Sequence, residues 1–195
     1  MEKKKIDFWY IIRILTTAPL MALLTVIYLW EQRRDTFTGA GQFIYDALCL
    51  GILPLMAYPT QKYFPHFKNE GRAGQRYLAM LYAVAGYILC VLLHGVCGAF
   101  KGQWLLCLEY LLSGLVILLF NKVFHKKISG HACGIAGPIL ILAYHGISWA
   151  IPVGLPLLLL VGAASLKTGR HTVAQLVGGS LVPLGVYLFL LCSIL

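Results

Sequence analysis

Apolar residues fill seven stretches of the chain, roughly 8–30, 41–59, 77–99, 104–120, 130–148, 150–166 and 172–194, and short polar or Gly/Pro-containing links separate them. A helix rises about 1.5 Å per residue, so about 20 apolar residues cross the roughly 30 Å of bilayer hydrocarbon. The pattern predicts an all-α fold, a polytopic transmembrane helical bundle of about six to seven helices forming a single membrane domain over 1–195. The stretch 41–59 contains Asp46, Gly51, Pro54 and Pro59, which fits either a kinked span or a re-entrant element. The stretch 150–166 is short and rich in Pro and Gly, and spans only if tightly packed. The longest hydrophilic link, "TQKYFPHFKNEGRAGQR" at 60–76, reads as a basic loop at a headgroup surface.

Composition excludes a soluble domain: of 195 residues 59% are hydrophobic and 12% charged, and the mean hydropathy is +0.79. The first run follows a basic Met1-Glu2-Lys3-Lys4-Lys5 start, carries Arg13, and has no small-residue cleavage site before Glu31-Gln32-Arg33-Arg34. It reads as a retained helix. Cys49, Cys90, Cys97, Cys107, Cys133 and Cys192 sit in apolar stretches without zinc-type or disulfide-framework spacing, and read as packing residues. Basic loops beside an anionic bilayer account for the net charge of +9, so no nucleic-acid partner is needed to explain it.

Charge is distributed unevenly. Glu2, Asp7, Glu31, Asp35, Asp46, Glu70 and Glu109 are the acidic residues, and none follows position 109. Beyond it come Lys122, Lys126, Lys127, Lys167 and Arg170, with His125, His131, His145 and His171. As flanks of helices, these cations have a plain role as positive-inside anchors. Their imbalance also admits a sharper one, because cations beside apolar helices require an anion that this stretch does not supply. A helix leaving near Gly130 and another returning near Ser165 bring 126–131 and 165–171 to one face. Ser129 can cap the first of these helices, leaving amides at Gly130 to Cys133 and the positive end of the helix dipole to face a ligand. The pattern predicts a phosphate site. His94 and His145 read as packing or interfacial residues, Glu109 as either functional or paired, and Gly134, Gly137, Gly178 and Gly179 as close-packing surfaces. With no carboxylate in the C-terminal region, neither a metal nor another cofactor is expected at this site.

The residues Ile128-Ser129-Gly130-His131, and Gly169-Arg170-His171-Thr172 followed by Gln175, resemble motifs of the type-2 phosphatidic acid phosphatases, which share a helical core with the vanadium haloperoxidases. The likeness covers about 104–194. It implies a metal-independent membrane phosphatase acting on a lipid phosphate or diphosphate. His171 is then the nucleophile that becomes a phosphohistidine, and His131 the acid that protonates the leaving oxygen. The resemblance also implies that Gln175 orients His171, and that Lys127 and Arg170, with Ser129 and Gly130 at the turn and Lys126 and Lys167 in support, bind phosphate. The chain departs from the motifs at four places: the proline before Ser129 is missing, the first motif's Arg-Pro is absent, and Ser165 and Gln175 stand where an arginine and an aspartate are expected. Gln175 can fix a tautomer without raising basicity, which implies either slower chemistry or a carboxylate recruited from Glu109 or Asp46. Two further readings stay open, a lipid phosphotransferase and a non-catalytic anionic-lipid binder or transporter.

The resemblance implies a multi-pass protein of a bacterial cytoplasmic membrane, with phosphorylated lipid and bilayer as partners. With seven spans, the positive-inside rule makes the motif face cytoplasmic, whereas the resemblance implies an outer-facing site. A re-entrant 41–59 would reduce the count to six and move the motif face opposite the N-terminus.

Overall fold

The polar residues that interrupt the apolar runs fix where the helices begin, bend and end. A computed structural model describes residues 8–194, and the basic start at Lys3, Lys4 and Lys5 lies outside them. Helix α1, Phe8–Leu15, meets α2, Ala18–Gln32, at a bend of 54°. Thr17 is extended there and Pro19 opens α2, where a missing N–H costs no hydrogen bond. Helix α3 runs from Ala40 to Tyr63. Pro54 cannot donate to the preceding turn, and the helix absorbs the lost bond by widening into a π-turn over Ala47–Ile52. The short α4, Pro65–Asn69, precedes α5, Arg72–Cys97; α6 follows as Lys101–Val123, α7 as Gly130–Tyr144, α8 as Ala150–Lys167 and α9 as Val173–Ile194. No strand occurs among the described residues.

Five of these helices, α3, α5, α6, α8 and α9, are long and apolar enough to cross a membrane, and the bent pair α1–α2 makes a sixth. The 15 residues of α7 span about 22 Å. The chain is a multi-pass membrane protein. Contacts between links show which ends meet. At one end Arg13 Nη1 donates to Thr168 Oγ1 at 2.8 Å, Lys127 Nζ donates to the Arg170 carbonyl at 3.0 Å, and the Lys122 ammonium lies 4.2 Å from the Tyr77 ring centre. At the other end the Arg33 guanidinium donates to the His145 carbonyl, Gln103 Nε2 donates to Thr36 Oγ1 at 3.0 Å, and Trp149 Nε1 donates to Tyr28 Oη at 2.8 Å. Helix α3 therefore runs from one end to the other as a kinked span, and the re-entrant alternative is set aside. Helix α7 makes the same passage despite its length.

Close approach between helices depends on small residues. Gly134 of α7 faces the Ala18 backbone at the start of α2, and Gly179 of α9 faces the Ser129 carbonyl; a Cβ at either position would overlap its neighbour. Leu29, Leu50, Leu105, Leu106 and Ile141 are fully enclosed, while Leu92, Leu159 and Phe189 project outward, as a lipid-facing surface requires.

Candidate functional site

Two turns distant in sequence are bonded together at the end of the bundle that carries Arg13 and Lys127. Ser129 N–H donates to the Gln175 carbonyl at 3.0 Å, and Gly179 one turn further along α9 lets that helix close on the Ser129 backbone. Ser129 is buried and caps α7, its Oγ accepting from Ala132 N–H at 3.3 Å. Cys133 N–H bonds the Ser129 carbonyl at 3.2 Å. The expected four free amides thus narrow to two, Gly130 and His131, because the cap and the first helical bond use the others.

On the second turn, Thr172 and Gln175 form a reciprocal cap. Gln175 N–H donates to Thr172 Oγ1 at 3.4 Å and Thr172 N–H donates to Gln175 Oε1 at 3.3 Å. The same Oε1 lies 3.1 Å from His171 Nδ1. A carboxamide oxygen only accepts, so Nδ1 carries the proton and Nε2 is left with the lone pair. Burial, partly offset by this bond, and the nearby charges of Lys127 and Arg13 lower the His171 pKa from 6.5 to about 4. The ring is neutral at physiological pH.

His131 stands across from it. Its Nε2 donates to the Arg13 carbonyl at 3.1 Å, so it can deliver a proton from Nδ1 only as an imidazolium. An anionic ligand between the two rings would favour that charged form.

Both rings line a cavity of about 590 Å³, within the range of small-ligand sites. Its mouth gathers Arg13, Arg76, Lys122, His125 and Lys127, and its interior runs between α5, α6 and α7 past Tyr87, Tyr110 and Gly137 to Glu109. One end is cationic and the other mostly apolar, the shape of an amphiphile with an anionic head. His125 turns the chain at the mouth with a left-handed backbone, φ 53°, which histidine adopts more readily than most residues.

The sequence-predicted residues divide on this geometry. Lys127, Gly130, His131 and His171 line the cavity, and Ser129 and Gln175 support it from behind. Lys126 and Lys167 are exposed and away from the lining, and Arg170 contributes its carbonyl to Lys127. Ser165, standing where an arginine was expected, is fully buried with its Oγ unpartnered, and its carbonyl accepts from Arg170 N–H at 3.0 Å. No carboxylate is recruited to His171 among the described residues: Glu109 accepts from Ser113 Oγ at 3.0 Å, and Asp46 lies 2.9 Å from His94 Nε2.

Sequence reasoning missed Arg13 and Arg76. Arg13 brings to the site a guanidinium that no C-terminal motif supplies. The available signal was an arginine inside an apolar run, a placement that is expensive unless used.

Comparison of the chain with family models, with curated proteins and with solved structures found no match.

Proposed function

We propose that this protein removes phosphate from a membrane lipid phosphate or diphosphate, without a metal at the reacting centre, through a phosphohistidine at His171. The observation that carries the reading is the pairing of a neutral His171, its Nε2 free, with His131 across a cavity whose mouth is cationic and whose depth is apolar.

In the first step His171 Nε2 attacks phosphorus, the P–N bond forms, and the P–O bond to the lipid breaks with its electron pair leaving on oxygen. The His131 imidazolium gives that oxygen a proton. Lys127, Arg13 and the free amides of Gly130 and His131 bear on the charge that develops on the phosphoryl oxygens. In the second step neutral His131 takes a proton from water, the water oxygen attacks phosphorus, and the P–N bond breaks to release phosphate and restore His171. Arg13 takes up the clamping role left open by Ser165, with a planar guanidinium suited to two phosphoryl oxygens. The donor set at the mouth is imidazole and cation, which matches anion chemistry and not divalent-ion ligation.

The basic residues Lys62, Lys68, Arg72 and Arg76 flank the site end, against Arg33, Arg34 and Lys101 opposite, and on this basis the site faces the cytoplasm of a bacterial membrane.

The buried Ser165 and the carboxamide at Gln175 favour a second reading, an anionic-lipid binder without turnover. Phosphate release in detergent–lipid micelles separates the two, with phosphatidic acid, phosphatidylglycerophosphate and undecaprenyl diphosphate as substrates and EDTA present. Release that disappears in His171→Ala is the expected result. Binding without release refutes hydrolysis and supports the binder. Acceptor-dependent product without free phosphate indicates transfer.

A further inference from the structure

The opposite end of the bundle encloses a second group of reactive side chains that the phosphate chemistry does not use. Cys90 and His94 are one turn apart on one face of α5, and Cys107 of α6 meets them. One ligand atom from each of the three lies within 4.8 Å of the others, and all three residues are buried. We propose that Cys90, His94 and Cys107 hold a structural Zn²⁺ ion.

The surroundings are arranged as a metal site requires. Asp46 of α3 lies 2.9 Å from His94 Nε2 and accepts its proton, the carboxylate–imidazole pair that orients a ligating histidine. In the neutral ring with Asp46 as acceptor the lone pair sits on Nδ1, which is fully buried and has no partner. An imidazole acceptor left unpaired in a dry interior is costly unless something occupies it. Asp46 Oδ1 also accepts from the Cys90 thiol at 3.2 Å, so one carboxylate positions both the imidazole and the first sulfur. Zn–S bonds of about 2.3 Å place tetrahedral sulfurs about 3.8 Å apart, so small rotamer shifts bring ligands within 4.8 Å into position. Gln42 is held with its oxygen toward Thr38 N–H at 2.7 Å, and the rings of Tyr45 and Trp104 lie 5.4 Å from the His94 ring, closing the site against solvent.

Charge selects the ion. Binding converts two thiols to thiolates and releases two protons, so a divalent ion leaves the Cys₂His unit neutral, whereas a monovalent ion leaves a buried negative charge. Zn²⁺ is a divalent ion that thiolate and imidazole favour. Bound there, it ties α3, α5 and α6 together at the end opposite the phosphate cavity.

The test uses the full-length protein in detergent, purified with a thiol reductant and no chelator. Metal analysis should find about one Zn²⁺ per chain. Co²⁺ added to chelator-stripped protein should give thiolate-to-metal absorption with tetrahedral ligand-field bands, and Zn²⁺ should displace it. Cys107→Ser and His94→Gln should each lower Co²⁺ affinity at least about 10-fold, while Cys49→Ser leaves it unchanged. The wild-type protein, whose fold no substitution disturbs, carries two further readouts: Zn²⁺ should release two protons per ion bound and protect Cys90 and Cys107 from alkylation. A folded protein without the thiolate band overturns the proposal, as does a band that persists in Cys107→Ser or a Cys90–Cys107 disulfide found by peptide mapping.

Discussion

The two ends of the bundle solve the problem of polar groups in an apolar protein in opposite ways. At one end Asp46 and His94 bond within 2.9 Å, and Gln42, Cys90 and Cys107 surround them, so acid, base and thiol are supplied by the chain and sealed from solvent. At the other end Arg13, Arg76, Lys127, His131 and His171 converge on an open cavity, and the one carboxylate in its lining among the described residues, Glu109, is bonded to Ser113 well inside. A closed acid–base cluster can serve the fold. A set of like charges held together works against it, because each cation raises the cost of the next. On the proposed function, an anionic headgroup bound in the cavity offsets that repulsion.

Removing the two imidazoles at the open end should have the largest effect. His171→Ala should lower phosphate release by at least about 10⁴-fold and His131→Ala by about 10²- to 10⁴-fold, with unfolding temperatures close to wild type. By contrast, His94→Ala should leave an uncompensated carboxylate in the core and lower stability by about 3–5 kcal/mol, read by thermal unfolding. Equal losses of stability at both ends would erase the distinction.

Removing cations should come next. Lys127→Ala and Arg13→Ala should each lower kcat/KM by about 10²-fold, the scale of one lost transition-state donor, while Lys126→Ala and Lys167→Ala, which lie away from the cavity, should change it less than about 3-fold. If the members of the two pairs behave alike, the cations are interfacial anchors.

Gly179→Ala tests the joint between the two turns. Its Cβ would meet the Ser129 carbonyl, so α9 must shift, at a cost of about 1–3 kcal/mol and with a fall in turnover measurable at a temperature where the protein stays folded. Gly185→Ala, where a Cβ meets open space, is the matched control.

The smallest effect expected is one of pH. The His171 pKa is depressed from 6.5 to about 4 in the folded protein, so the unfolded chain binds more protons between those values. The contribution of His171 to stability is full above the upper value and is lost as pH falls toward the lower. His171→Gln should therefore flatten the stability profile across that window, and nitrogen NMR of labelled histidine should show His171 as the neutral Nδ1–H tautomer at pH 6. A protonated ring at that pH would remove the nucleophile from the account.

Much of this was legible in the chain. Apolar runs located the helices, and Ser129-Gly130-His131 with Arg170-His171 and Gln175 marked two turns that do meet, because loop lengths on either side of α7 and α8 force their return to one face. What one sequence could not show was contact between distant segments. Arg13 and Arg76 reach the cavity from helices far from the motifs, and Ser165 turns inward although its position suggested a clamp. Cys90 and His94 were within reach, since a spacing of four puts them on one helical face, but Cys107 joins them only through the packing of α6 on α5. The bend at Thr17 and the π-turn before Pro54 decide which end of each run reaches which face, and periodicity carries no record of either.

If the open end performs covalent chemistry at His171, its phosphohistidine can be trapped. An aryl phosphate, whose leaving group needs no acid, lets the first step proceed in His131→Ala while the second step lacks its base. Rapid quenching at alkaline pH, which preserves the P–N bond, followed by peptide mass spectrometry should find one phosphoryl group on His171. Phosphate released by that variant with His171 unmodified at every time point would contradict the account.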